Sequence, residues 1–315
     1  MSVRDARRSL RTCLVHLVWA PLGPDFLARF VESYRRHDPG APHHLVLLLN
    51  GFEPEQDLSP WRRLLAGIDH EELWVDGAVT DLAAYRHAAQ SICAERYCFV
   101  NSHAVALADG WLAALDGALG EPRAGLVGAS GSWGSIRSYQ RFMLGLGGPY
   151  AEVFADRRAT NAALAAVAAR QPSAKPRTGR DPLGFARALI EQSHGFLPFP
   201  APHIRTNAFM LKGDVIARLQ VGSLARKSDA YRLESGSSSL TVQVEHMGLA
   251  ARVVGRDGRS YDPPDWPSSA TFWYGEQANL LLADNQTAGY LQADADARRA
   301  LAGFAWGARA DTGHT

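Results

Sequence analysis

Cys13 to Trp19 reads CLVHLVW, a short apolar run rich in branched side chains, and it predicts a buried strand. Ala20-Pro21-Leu22-Gly23 breaks that run. Helical spacing takes over at Pro24, where Phe26, Leu27, Phe30, Val31 and Tyr34 recur on one stripe and Pro24 suits a first turn. Asp38-Pro39-Gly40 closes the helix, and His44 to Leu49 (HLVLLL) predicts a strand covered on both faces. The alternation continues with a short helix over 61–68 and a strand over 72–75. Asp81 then reads as the N-cap of a helix carrying Leu82, Tyr85, Ala89 and Ile92. A strand at Tyr97 to Val100 follows, then a helix capped by Asp109 with Trp111, Leu112, Leu115 and Leu119 inward, then a strand at Ala124 to Gly128. Strands alternating with helices imply right-handed βαβ units and a mostly parallel sheet.

Beyond Gly128 the pattern loosens. Ser130 to Ser135 reads as a loop, Ile136 to Leu146 as a helix, and Ala151 to Arg170 as one alanine-rich helix. Gln171 to Pro182 has linker composition, and Phe185 to Ile190 is a further helical piece. Ile204 to Leu211 predicts a strand. Leu240 to Met247 predicts a helix stopped at Gly248, and Ala250 to Val254 a returning strand.

Composition narrows the function classes. The 315 residues are 46% hydrophobic and 21% charged, an ordinary globular balance that supports a sizeable core. A formal net charge of +1 supplies no field for nucleic acid, so no nucleic-acid partner is expected. Cys13, Cys93 and Cys98 lie in apolar segments without paired spacing, which predicts buried free thiols in a reducing compartment. No secretory signal pattern or transmembrane run is legible. Arg4, Arg7, Arg8 and Arg11 mark a solvated arm at residues 1–12 with enough positive charge to touch a membrane surface. The expected location is therefore cytoplasmic, with peripheral membrane contact left open.

In an open parallel sheet, ligands bind beyond the carboxyl ends of the strands. Here those ends read Trp19-Ala20-Pro21, Asn50-Gly51-Phe52, Asp76-Gly77 and Asn101-Ser102-His103. Plain turn chemistry explains about half of these residues on its own. No glycine-rich dinucleotide or phosphate loop, nucleophile elbow or H-E-x-x-H motif is present. His43 and His44, pointing to alternate faces, are not expected to share a ligand.

The order of elements resembles the family 2 type of GT-A glycosyltransferases across residues 13–260. Asp81 to Ser102 (DLAAYRHAAQSICAERYCFVNS) resembles the helix and strand that lead into that family's D-x-D site, and Ala106 to Leu115 (ALADGWLAAL) the helix after it. Leu233 to Leu240 (LESGSSSL) followed by TVQVEHMGLAARVVG resembles the acceptor-side acid, helix and returning strand. Ile204 to Leu219 resembles the elements that shape the acceptor pocket. The resemblance implies an α/β, GT-A-like (Rossmann-related) fold with a mostly parallel sheet flanked by helices, a helical insertion and an irregular C-terminal extension. It divides the chain into a nucleotide half at about 13–130, an acceptor half at about 131–260 with a mobile linker at 171–182, and an extension at 261–315 packed on the domain.

The resemblance further implies transfer of a sugar from a nucleotide-diphosphate sugar to a saccharide or other hydroxyl acceptor, inverting its configuration, as in polysaccharide biosynthesis. Glu234 is the expected base, in a loop before a serine-capped helix whose dipole favours an anion, and Asp229 is the reserve. A solvated loop acid is the competing reading of Glu234. Ala20, Pro21, Asn50, Asp81, Asn101, Ser102 and His103 are the expected nucleotide-sugar residues, and Trp133 and Asn207 the acceptor residues. Trp133 and Trp273 read equally as stacking platforms or as core.

The departure lies at the centre. Where the family has metal-binding acids, this chain has Asn101, Ser102 and His103, and Mg2+ or Mn2+ prefers carboxylate oxygen. His103 leaves Mn2+ open as a cofactor. Without a metal, arginines would have to hold the diphosphate, from among Arg205, Arg226, Lys227, Arg232, Arg256 and Arg259. A GT-A scaffold that binds a nucleotide or a partner without chemistry is the alternative, and a nucleotidyltransferase is disfavoured by the missing glycine-rich loop.

Overall fold

A computed structural model describes residues 10–154, 156–169 and 195–311. The first half alternates as the pattern dictates: β1 (Leu10–Trp19), α1 (Pro24–Arg36), β2 (His44–Asn50), α2 (Ser59–Leu64), β3 (Glu71–Trp74), α3 (Asp81–Ser91), β4 (Ala94–Val100), β5 (Val105–Ala106), α4 (Trp111–Gly120) and β6 (Ala124–Gly128). Then come β7 (Gly131–Ser132), α5 (Ile136–Met143), α6 (Pro149–Val153), α7 (Arg157–Ala169), β8 (His203–Ile204), β9 (Ala208–Lys212), α8 (Gly213–Arg218), α9 (Lys227–Ser235) and α10 (Leu240–His246). The chain ends with β10 (Ala250–Val254), β11 (Ser260–Tyr261), β12 (Leu282–Ala283), α11 (Asn285–Leu291) and α12 (Ala295–Trp306).

Eight strands form one sheet in the order β11-β10-β6-β9-β4-β1-β2-β3. β1 pairs in parallel with β2 and β4, β2 with β3, and β6 with β10, whereas β9 runs antiparallel between β4 and β6. The expected mostly parallel α/β sheet is thus present. Alternation along β1 sends Cys13, Val15 and Leu17 to one apolar layer and Leu14 and Val18 to the other. The first layer is covered by α3, α9 and α10 through Leu82, Tyr85, Leu233, Leu240 and Val244. The second is covered by α1, α2 and α4 through Phe30, Trp61, Trp111, Leu112 and Leu115.

Several boundaries differ from the pattern for identifiable reasons. β1 begins at Leu10, paired with Ala94, so residues 10–12 belong to the sheet and not to an arm. Thr80, not Asp81, caps α3: its hydroxyl accepts from the Ala83 N–H at 3.4 Å and Asp81 is the first helical residue. Gly110 in the left-handed region starts α4, while the Asp109 carboxylate accepts from the Asp38 N–H at 3.1 Å. The single helix expected over 151–170 is two, because Asp156 Oδ1 accepts from the N–H groups of Arg158 and Ala159 and starts a new helix. The strand expected over 204–211 divides into β8 and β9 around residues 205–207. Cys13 and Cys98 are buried, but Cys93 is exposed at the turn into β4, a correction to the expectation for that thiol. Burial pushes the Cys13 thiol up to about 12. The linker at 171–182 and the helical piece at 185–190 lie outside the described residues. Among the described residues no helix is long and apolar enough to cross a membrane.

The tail is built into the fold. β11 extends the sheet beside β10, and β12 pairs antiparallel with β5. Trp266 and Trp306 are fully buried, with their indole N–H groups on the carbonyls of Tyr261 and Phe272.

Candidate functional site

Polar side chains gather where β4 and β6 end and β9 begins. The Asn101 N–H donates to the Asn207 carbonyl at 2.9 Å, which ties the β4 exit to the loop before β9. In that loop Arg205, Thr206 and Asn207 face three different neighbours.

Arg205 is 6% exposed and Asp284, from the tail, is 3% exposed. The Arg205 guanidinium donates to Asp284 Oδ2 at 2.6 Å and to Ser130 Oγ at 3.1 Å, and lies 4.0 Å from the centroid of Phe272. Asp284 also caps α11, with Oδ1 accepting from the Thr287 N–H at 2.8 Å. Ser130 Oγ donates onward to Asn207 Oδ1 at 2.9 Å, and Asn207 Nδ2, buried, has no partner among the described residues.

Thr206 holds Glu234. Its N–H and its hydroxyl both donate to Glu234 Oε1, at 2.9 and 3.0 Å, and Oε2 carries no hydrogen bond among the described residues. Glu234 sits in the last turn of α9 and not in a loop, a correction to the expected setting. The helix starts early because the Asp229 carboxylate reaches back to the Arg226 N–H at 3.0 Å, which leaves Ser239 to cap α10. The dipole of its own helix therefore disfavours an anion at Glu234, and the Thr206 donors take the place assigned to an N-terminus. Gly236 follows directly, where a Cβ would collide with the carbonyls of Arg232 and Gly195.

Across from Glu234 lies Asp81. Burial and the Glu234 charge raise the Asp81 carboxyl above its ordinary value, and Lys227 opposes them. Asp81 and Lys227 are solvent-exposed and Glu234 half-buried, and the three are near enough for Glu234 and Lys227 to act on the Asp81 charge in opposite senses. Buried His203 also feels Glu234: burial lowers its pKa, Glu234 works against that and Arg205 assists it. Its Nδ1 lies 2.8 Å from the Ala201 carbonyl.

The other expected residues are engaged differently. Asn50 is fully buried; Nδ2 donates to the Val79 carbonyl at 2.9 Å and Oδ1 accepts from the Val79 N–H at 3.0 Å, pinning the loop before α3. Beside it Gly51 has φ +75, and a Cβ there would meet the Trp19 ring. Ala20 and Pro21 form a short 3-10 turn after Trp19, with Pro21 exposed. Asn101 Oδ1 accepts from the His103 N–H at 3.0 Å, and the Ser102 hydroxyl donates to the Leu17 carbonyl at 2.8 Å. His103 packs edge-on to Phe26 and is lowered by burial, with Asp284 opposing and Arg29 assisting. Trp133 is 9% exposed, with its indole N–H on the Pro263 carbonyl and its ring against Trp306. Trp273 stacks on Phe272. His43 engages Tyr34 and His44 engages Glu71.

A divalent cation does not fit the donors at the β4 exit. The Asn101 and Ser102 oxygens serve the backbone there, and the one nearby carboxylate, Asp284, is locked by Arg205 and Thr287. Among the described residues no group of three or more His, Cys, Asp and Glu could hold a metal ion.

Asp284, Thr206, His203 and Phe272 were not singled out by sequence reasoning. The D-x-x-T spacing of Asp284 and Thr287 is a capping signature that could have marked a helix start, but nothing in it points to Arg205.

The class that emerges is an α/β protein with a mostly parallel sheet and a cluster of polar side chains at the carboxyl edge of its middle strands. No protein-family model and no curated protein match the chain. Among solved structures it is similar to the mannosyltransferase PcManGT from Pyrobaculum calidifontis in complex with GDP-Man and Mn2+, at 12% identity and a TM-score of 0.45 over 84% of this chain and 61% of that one. It is also similar to S. aureus TarS (residues 1–349), at 11% identity and a TM-score of 0.30 over 38% of this chain and 34% of that one. GalNAc-T7 with UDP, GalNAc and Mn2+ matches at 16% identity and a TM-score of 0.30 over 38% of this chain and 23% of that one. The match spans less than two thirds of each of those chains, and identities this low carry nothing about chemistry.

Proposed function

We propose that this chain is a glycosyltransferase of GT-A-like architecture, resembling family 2 enzymes, that moves a sugar from a nucleotide-diphosphate donor to an acceptor hydroxyl with inversion. The observation that carries the reading is Glu234: a half-buried carboxylate fixed by two donors on one oxygen, with the other oxygen free of hydrogen bonds among the described residues, and within electrostatic reach of Asp81. Glu234 Oε2 takes the proton of the acceptor hydroxyl while that oxygen bonds to the anomeric carbon. The bond from that carbon to the β-phosphate oxygen breaks, and its electron pair leaves with the nucleoside diphosphate.

Asp81, Asn101 and the Ala20-Pro21 turn form the donor side in this reading, with Asn50, Ser102 and His103 holding its loops. Asn207 forms the acceptor side, Trp133 supports it from beneath as a buried residue, and Asp229 is the reserve base, although it already caps α9. Leaving-group charge falls to Lys227 and Arg226, both exposed at the start of α9, because Arg205 is committed to Asp284. The reaction is proposed to run without a divalent metal, on the chemistry of the Asn101-Ser102-His103 donors. The free cysteines favour a reducing compartment, the cytoplasm.

One observation favours the alternative, a nucleotide-binding scaffold without chemistry: Asp284, the acid whose charge acts on His103 among the described residues, is spent on a structural ion pair. Thermal-shift titration with nucleotide-diphosphate sugars, GDP-mannose and UDP-sugars among them, in EDTA and in Mn2+, separates the readings when joined to a transfer assay. Stabilisation unchanged by EDTA, with release of nucleoside diphosphate that depends on Glu234, is the expected result. Stabilisation without transfer selects the scaffold. Silence from every nucleotide would sink both.

A further inference from the structure

An apolar recess lies on the sheet face, with Leu82 and Leu233 of its walls next in the chain to Asp81 and Glu234. It opens between α3, β9 and α8 as a cavity of about 390 Å³, within the range of small-molecule sites. Its walls are apolar, with Leu82, Tyr85, Ala89, Phe99, Phe209 and Ile216 among them. The proposed transfer uses none of these side chains.

Two observations point to a ligand with a polar end. Tyr85 is 2% exposed, and its buried hydroxyl has no hydrogen-bond partner among the described residues. A buried hydroxyl left unmatched is unfavourable, which marks this wall as incompletely satisfied by the chain's own packing. At the solvent side of the recess stand Arg86 and Gln90, both exposed. Arg86 reaches only the Val221 and Gly222 carbonyls, at 3.5 and 3.3 Å, and has no ion pair among the described residues. A permanent cation at the lip of a hydrocarbon-lined recess complements an anionic head joined to an apolar chain.

We propose that this recess binds a single-chain amphiphile with an anionic head, a fatty acid, its chain between α3 and β9 and its carboxylate on Arg86. The recess adjoins Asp81 and Glu234 through Leu82, Tyr85 and Leu233, but the inference draws on its apolar walls and Arg86 and not on the nucleotide-sugar reading.

Dodecanoate, held below its micelle concentration, is the probe, with displacement of a dansyl-labelled undecanoate as the signal and dodecanol as the uncharged control. Saturable displacement by dodecanoate, stronger than by dodecanol, is expected. Arg86→Gln should weaken dodecanoate about tenfold and leave dodecanol unchanged, the value of one charge-assisted contact. Ala89→Phe fills the interior and should abolish both. Ala217→Trp, at an exposed rim position, should do the same if Ala89→Phe proves unfolded by circular dichroism. Displacement that never saturates, or that survives the filling variants at wild-type strength, overturns the proposal. So does an Arg86→Gln effect equal for acid and alcohol.

Discussion

Two asparagines at the carboxyl edge of the sheet behave in opposite ways. Asn50, after β2, has both amide atoms matched by the backbone of Val79 and holds a loop shut. Asn207, before β9, gives its oxygen to Ser130 and keeps an unmatched Nδ2. The same contrast runs along the edge: Ser102 and Asn101 are consumed by local backbone, whereas Glu234 keeps Oε2 free and Asp81 faces a like charge. Asn50, Asn101 and Ser102 are spent on framing the strand ends, whereas Asn207, Glu234 and Asp81 hold polar capacity in reserve. Residues that look alike in sequence therefore divide into support and chemistry according to whether the backbone has already claimed them.

The sharpest way to break that comparison is the Arg205–Asp284 pair, which joins the frame to the tail. Its side chains are 7% and 1% exposed, so removing one partner strands a buried charge. Arg205→Ala is expected to cost about 3–5 kcal/mol in denaturant unfolding, whereas Arg205→Met with Asp284→Leu should be near neutral. If the double variant also loses nucleotide-sugar binding, the pair belongs to the chemistry as well as to the frame.

Glu234→Gln comes next, and its effect should appear in rate and not in stability. Thr206 can still donate to the amide oxygen, so the fold should hold while transfer falls about 10²–10⁴-fold. A transfer rate within twofold of wild type would remove Glu234 from the role of base.

The frame has its own titration. His16 lies on β1, fully buried and stacked on Phe30 at 3.8 Å, and its Nδ1 has no partner. Burial lowers its pKa from 6.5 to about 3. The unfolded chain takes up a proton near pH 6.5 that the folded chain refuses until about pH 3, so stability is lost as pH falls through that window. The slope is about 1.4 kcal/mol per pH unit, on the order of 2 kcal/mol by pH 5. His16→Leu should flatten the dependence of the unfolding midpoint between pH 7 and 5. An equally steep curve in that variant would show that another group governs it.

These contrasts explain what the sequence could and could not reveal. The apolar runs at 13–19, 44–49 and 124–128 became strands almost residue for residue, because a strand buried on both faces leaves a continuous run. Gly248 ended α10 for the reason its φ of +75 requires. The site was legible only as single letters. That Glu234 depends on Thr206, and Arg205 on Asp284, are pairings 28 and 79 residues apart, which no local spacing encodes. Trp133 could be read as platform or core, and only the tail that packs on it decides for burial.

The smallest expected effect tests whether Asp81, Glu234 and Lys227 form one electrostatic unit. Lys227 is exposed, so its influence on Asp81 passes partly through solvent and is screened by salt. The Asp81 carboxyl already stands above its ordinary value through burial and Glu234, and Lys227 is the group that holds it down. Lys227→Gln should therefore move the Asp81 titration, followed by carboxyl NMR, further upward, and more at low than at high ionic strength. Glu234→Gln removes the opposing like charge and should move the same titration downward. If both substitutions leave Asp81 where it was, the two acids and the lysine do not act on one another, and Asp81 and Glu234 are as self-contained as the asparagines that frame the strand ends.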